Sequence, residues 1–178
     1  MLVGLGAGMV AGACGGDDGD DGGGDDSVPA LAYCDPARGW SAGAAALEAE
    51  ILTLVNQHRA AGATCGGQAM PAVPPLSADP ALRCAARVHT QDMADRGYFA
   101  HVSPEGEEPW DRMERAGYTW RQAGENIAGG NSTAAATMGQ WMNSAGHCRN
   151  IMSASYVHLG VGHVESDRLW TQVFGAPR

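Results

Sequence analysis

Three short polar blocks hold the residues best suited to chemistry: Tyr98-Phe99-Ala100-His101, Gly124-Glu125-Asn126-Ile127 and Gly146-His147-Cys148-Arg149-Asn150-Ile151. Each sets a titratable group beside apolar or glycine positions. His101, Glu125 and His147 come from separate elements, so the fold must bring them together. Two imidazoles and a carboxylate are donors that a divalent cation such as Zn2+ accepts, with positions left open for water. The same groups supply a base and its orienting partner. A competing reading is a histidine–carboxylate network that only holds loops, because a buried carboxylate must be paired or hydrogen-bonded. In that reading Glu125 accepts backbone N–H bonds and locks a turn at Asn126. HExxH, GxSxG and a glycine-rich phosphate loop are absent from the sequence. Ser103 and Ser144 each stand near a candidate histidine, but neither has the setting of an activated nucleophile.

The elements that must position these groups follow from periodicity. Leu47, Ile51, Leu54 and Val55 recur at helical spacing and predict a helix over 44–61, stopped by Gly62. His58 on it reads as a packed or half-exposed histidine. Residues 65–76 read as loop because of Pro71, Pro74 and Pro75. Asp79-Pro80 signals a helix start, and the helix should run to about Arg96. Its inner stripe is Leu82, Ala85, Ala86, His89 and Met93, with His89 a hydrogen-bonded histidine at the core's edge. Cys84, Arg87 and Gln91 fall on the other side. After Gly97, Tyr98 and Phe99 are expected to turn inward. Ser103 to Gly106 form a turn, and Trp110, Met113 and Ala116 mark a short helix. Ser132 should cap a further helix carrying Ala136, Met138, Trp141 and Met142. Val157–Glu165 and Leu169–Phe174 read as strands joined in an antiparallel hairpin at Asp167. Helices first and strands late predict an α+β layered domain.

The chain has 178 residues, which fits one domain plus a tail. Its net charge is −9, but six of the acids (Asp17, Asp18, Asp20, Asp21, Asp25 and Asp26) lie in one run. The acidity belongs mostly to that run. No basic stripe is present, which argues against nucleic-acid binding. Met1 to Ala13 is apolar, rich in small residues and uncharged, and it is too short to span a bilayer. It resembles the end of an export signal, and Ala11-Gly12-Ala13-Cys14 resembles a lipobox, which would make Cys14 a lipidated N-terminus. An ordinary cleaved signal is the alternative. Residues 15–26 contain only Gly and Asp and have nothing apolar to bury, so a spacer is expected there. The expected division is a signal-like segment over 1–14, a spacer and lead-in over 15–43, and a folded domain over 44–178. Cys34, Cys65, Cys84 and Cys148 remain, an even number that suits two disulfides in an exported chain. Of three possible pairings, Cys65–Cys148 with Cys34–Cys84 is the expected one. The first bridge would bind the loop after the first helix to the His147 segment.

Several motifs, in order, resemble one family. Asn56-Gln57-His58-Arg59, His101, Gly124-Glu125-Asn126-Ile127, Trp141 through His147, Asn150-Ile151 and Gly160-Val161-Gly162 are similar to the bacterial branch of the CAP superfamily. These are the cysteine-rich secretory, antigen 5 and pathogenesis-related-1 proteins, or SCP-like domains. The resemblance covers roughly residues 47–174. It implies a three-layer α-β-α sandwich with a central antiparallel sheet and a large cleft. Family members line that cleft with two histidines and two acids. His101 and His147 match the histidines and Glu125 the first acid. Ser144 stands where the second acid would be, so the tetrad is incomplete here, and Ser144 and Asn126 become cleft-lining or orienting candidates. The family's roles are diverse, and its fold implies no single reaction. The expectation is an exported, lipid-anchored binding module, secreted or held at an outer membrane or cell surface. Its cleft would take a divalent metal, a small apolar molecule or an envelope ligand. The alternatives are a metal-assisted or His/Glu-dependent hydrolase acting through His101, Glu125 and His147, and a purely structural or partner-binding module.

Overall fold

The computed structural model describes Met1 and residues 27–178. The lipobox with Cys14 and the Gly/Asp spacer lie outside the described residues. A 3-10 helix (Ala32–Ala37) precedes α1 (Ala42–Ala61), β1 (Ala63–Cys65), β2 (Gln68–Met70), β3 (Ser77–Ala78) and α2 (Pro80–Arg96). Then come α3 (Pro109–Arg115), β4 (Trp120–Gly129), α4 (Ala134–Asn143), α5 (Ala145–Ile151), β5 (His158–Val164) and β6 (Leu169–Pro177). The central sheet has the order β3-β5-β6-β4. Its three long strands pair antiparallel, while the two-residue β3 runs parallel to β5.

Helices cover both faces, which gives the α-β-α layering. One core joins Ile51 and Val55 of α1, Met138 and Trp141 of α4 and Ile151 of α5 to Leu159, Trp170 and Phe174 of the sheet. The other joins Leu82, Ala85 and Ala86 of α2 and Met113 of α3 to Tyr118 and Val173. The two-residue period of β6 sends Trp170 and Phe174 to one face and Val173 to the other. Gly160 and Gly162 let α2 lie directly on β5. A Cβ at Gly160 would stand 2.0 Å from the Leu82 carbonyl carbon, and one at Gly162 2.6 Å from that of Ala86.

Local signals start and stop the helices. The Asp79 carboxylate accepts from the Ala81 and Leu82 N–H groups, Pro80 takes the first turn, and Gly97 closes α2 in the left-handed conformation. Ser41 caps α1. Thr133, one residue beyond the expected Ser132, caps α4 by accepting from the Ala136 N–H. The bridges are Cys34–Cys84 and Cys65–Cys148, as the sequence suggested.

Three local expectations need correction. Residues 63–70 form a small antiparallel hairpin before the prolines, where a loop was expected. Residues 120–129 form β4, so Glu125 and Asn126 sit on a strand and not in a turn. Phe99 is 54% exposed instead of turned inward, since α2 ends before it and the chain leaves the core there. The other side of α2 carries the bridge to the lead-in through Cys84, as expected, and Arg87 there is buried against Glu48 of α1.

Arg59 ties the α1 side together. Its guanidinium is buried and donates to the carbonyls of Pro74 (2.7 Å), Ile151 (2.7 Å) and Ser153 (2.8 Å). Peptide carbonyls take the place of a carboxylate, and burial lowers the guanidinium pKa.

Candidate functional site

β4 is an edge strand, and the candidate groups gather around its outer side. Alternation puts Glu125 on the α2/α3 face, opposite Val173, and Asn126 on the α4/α5 face, opposite Gln172. Glu125 is buried. One oxygen accepts from His101 Nδ1 at 2.8 Å, and the other from an Arg112 terminal nitrogen at 2.9 Å. An ionised carboxylate only accepts, so Nδ1 of His101 carries the proton. That leaves Nε2 as the free nitrogen of a side chain that is 48% exposed. The hydrogen bond to Glu125 is the main cause that raises the His101 pKa, against burial, which lowers it.

Arg112 and His89 support this arrangement. Arg112 also donates to the carbonyls of His101 (2.7 Å) and Glu107 (3.0 Å), which pins the loop between α2 and α3 from both ends. His89 Nε2 donates to the Ala100 carbonyl at 3.0 Å and lies 3.8 Å from Glu125. Burial is the main cause that pushes the His89 pKa down to about 4, so its ring is neutral near neutral pH.

His147 reaches the same edge from the other face. Asn126 holds its segment: Asn126 Nδ2 donates to the His147 carbonyl (3.2 Å) and to Gln172 Oε1 (3.0 Å), and Asn126 Oδ1 accepts from Asn150 (2.9 Å). The Cys65–Cys148 bridge fixes the next residue. Burial is the main cause that lowers the His147 pKa, and the His101 charge lowers it further. Ser144 stands at the junction of α4 and α5, where its carbonyl accepts from the Cys148 N–H. It bends the chain toward His147 through its backbone.

Side chains also close the outer side of β4. The carbonyls of Ala123, Glu125 and Ile127, alternate residues of the strand, accept from Tyr156 Oη (3.1 Å), Asn150 Nδ2 (3.3 Å) and Trp141 Nε1 (3.2 Å).

The structure therefore joins His101 to Glu125 directly and ties the His147 backbone to Asn126, the next residue of the same strand. Glu125 stands behind His101 instead of beside it as a third ligand. Among the described residues, no group of three or more His, Cys, Asp or Glu is placed to hold a metal ion. Sequence reasoning missed Arg112. A carboxylate next to buried positions requires a cation, but nothing in the order of residues says which arginine supplies it.

The buried neutral His89 sets a pH dependence. Its folded pKa is about 4, and its unfolded value is about 6.5. Below 6.5 the unfolded chain binds a proton that the folded chain does not, so stability falls with pH until the folded value is reached. The loss between pH 6.5 and 4 should be roughly 3 kcal/mol. Urea unfolding of wild type and His89→Gln at a series of pH values tests this, and equal slopes across that window would rule it out.

Comparison with known proteins agrees with this fold. Residues 52–174 match the cysteine-rich secretory protein family, CAP. An uncharacterized protein of Bacillus subtilis, YkwD, is 46% identical over 100 residues, 56% of this chain and 39% of that protein. An uncharacterized membrane protein of the same organism, YlbC, is 40% identical over 74 residues, 42% of this chain and 21% of that one. The chain thus matches less than half the length of these relatives. The crystal structure of an extracellular SCP-domain protein from Bacillus anthracis is similar at 31% identity and a TM-score of 0.63, over 74% of this chain and 41% of that one. An outer surface protein from Borrelia burgdorferi shares the fold at 16% identity and a TM-score of 0.60, over 75% and 91% of the two chains. With the motifs, the layered fold and the match over residues 52–174 in agreement, the chain belongs to the cysteine-rich secretory protein family, the CAP proteins.

Proposed function

We propose that this protein is an exported, envelope-associated binding module, anchored through a lipid on Cys14, with the His101/His147 cleft as its binding site. The observation that carries the reading is the Glu125 carboxylate, buried and held between Arg112 and His101. A carboxylate behind a histidine fixes its tautomer and raises the basicity of the free nitrogen, an arrangement typical of metal-ligating imidazoles. His101 Nε2 and His147 would hold a divalent cation such as Zn2+, which would supply a positive centre for an anionic or carbonyl-bearing envelope ligand. Two protein donors are fewer than the four of a structural zinc site, so the ion would be exchangeable. A hydrolase would need Glu125 to activate a water, whereas this Glu125 is buried with both oxygens engaged. The extracellular and outer-surface settings named for the similar structures support export.

Zinc titration of the disulfide-intact protein by calorimetry near neutral pH tests the reading. Saturable binding is expected, lost in His101→Ala/His147→Ala and weakened about 10- to 100-fold in Glu125→Gln. Heat that persists in the double variant would assign the metal elsewhere. No binding in the wild type would leave the Glu125 network a structural role and turn the search to lipid and protein ligands.

A further inference from the structure

A pocket of about 370 Å³ lies among the 3-10 helix, α2, α3 and the loop before α3, and neither His101 nor His147 lines it. Among the described residues, five buried side-chain polar atoms lack a hydrogen-bond partner. Three of them belong to residues around this pocket: Tyr33 Oη, His89 Nδ1 and Arg112 Nε. His89 and Arg112 are each only 1% exposed. Native proteins rarely leave such atoms unmet, and their gathering at one pocket calls for a partner there.

The charged groups around the pocket are already engaged with one another. Arg96 meets Glu105 at 2.8 Å and Asp92 at 3.5 Å, and Arg115 meets Glu107 at 2.7 Å. The terminal nitrogens of Arg112 serve Glu125 and two carbonyls. An ion of either sign would have to displace one of these pairs. The unused capacity adds no unpaired charge, because the Arg112 guanidinium is already paired with Glu125. It consists of a hydroxyl on Tyr33, a donor at Arg112 Nε and an acceptor at His89 Nδ1, since Nε2 of that ring donates to the Ala100 carbonyl. Ala32, Pro36 and Val88 add an apolar wall. Donors and acceptors mixed beside an apolar wall match a molecule of hydroxyl groups, each of which donates and accepts, set on an apolar C–H frame. The volume is at the small end of the roughly 300–1,000 Å³ range of ligand pockets, which suits one ring and not an extended acyl chain.

We propose that this pocket binds a neutral, hydroxyl-rich small molecule the size of a single sugar ring, its hydroxyls accepting from Arg112 Nε, donating to His89 Nδ1 and meeting Tyr33 Oη. These atoms are closed to solvent without ligand, so binding requires lining side chains to shift, and the Tyr33–Arg115 pair, 4.3 Å from guanidinium to ring centre, lines the pocket. The site shares Arg112 and His89 with the supports of His101, but it does not rest on the metal-binding reading of the cleft.

The test is a nuclear magnetic resonance titration of the isotope-labelled, disulfide-intact chain. Glucose, galactose and N-acetylglucosamine are added to millimolar concentrations, with glycerol, phosphate and magnesium as comparisons. At least one sugar is expected to shift the Arg112 Nε–H and His89 ring signals saturably. Val88→Trp, which fills the pocket from a half-buried position, should abolish the shift, and Tyr33→Phe should weaken binding roughly fivefold by removing one hydrogen bond. Sugars that move neither signal, shifts that survive Val88→Trp in a protein with an unchanged melting curve, or a response to phosphate or magnesium alone would each overturn the proposal. If Val88→Trp does not fold, Tyr33→Phe decides: unchanged affinity there also overturns it.

Discussion

Replacing Arg112 with methionine should lower the free energy of unfolding by about 3–5 kcal/mol, the usual cost of removing one partner from a buried ion pair. Arg112 and Glu125 are both almost wholly buried, and their atoms meet at 2.9 Å. Without the guanidinium, the Glu125 charge keeps only the half-exposed His101 as a hydrogen-bond partner, the His101 carbonyl loses its donor, and the Glu107 carbonyl keeps only the Ser103 N–H. Urea unfolding followed by tryptophan fluorescence measures the loss. Adding Glu125→Gln should restore part of it, because the stranded charge is then gone, and a double mutant no more stable than Arg112→Met would contradict this account. The same substitution should loosen the loop that carries His101, so the cleft weakens as the fold does.

Glu48→Ala should cost a comparable 3–5 kcal/mol, in a hydrogen-bond network separate from that of Glu125. Glu48 is buried on α1. One oxygen takes two bonds from Arg87 of α2, at 2.6 and 3.0 Å. The other accepts from Trp40 Nε1 at 2.7 Å and from the His163 backbone N–H at 2.9 Å. One carboxylate thus joins the lead-in, both long helices and β5. Glu48→Gln preserves the shape and an acceptor, so it should lose clearly less than alanine in the same urea experiment. Equal losses would show that side-chain volume and not hydrogen bonding dominates at this position.

Local punctuation was legible in the sequence. Asp79-Pro80 and Gly97 mark α2 because a cap, a fixed φ and a left-handed residue act within one turn. The hairpin of β5 and β6 showed in its apolar runs and the turn at Asp167. The strand β4 did not show. Glycines interrupt it, and its inward residues include the polar Asn126, satisfied only by Asn150, Gln172 and the His147 carbonyl. Such a strand has no apolar alternation, and its partners lie 21 to 46 residues away. The second side of α2 was legible only as the place for the Cys84 bridge. A helix covered on both sides carries buried groups all round, and here they include Arg87. The cleft residues could be named from the family motif, but their supports could not. Arg112 sits on a short helix with no pattern that distinguishes it from Arg115, and only the folded loop turns it toward Glu125.

The closed outer side of β4 has a consequence for how the protein behaves when crowded. An exposed strand edge is a template on which a second chain can add, and natural sheets guard against it. At one end of this sheet, β3 is two residues long and offers little to pair with. At the other, Trp141, Asn150 and Tyr156 occupy the carbonyls a new strand would need. Asn150 also holds Asn126, so one side chain serves both the cleft and the guard. Substitutions that remodel the cleft through Asn150 should therefore expose an adhesive edge, and the first symptom would be concentration-dependent self-association rather than loss of ligand.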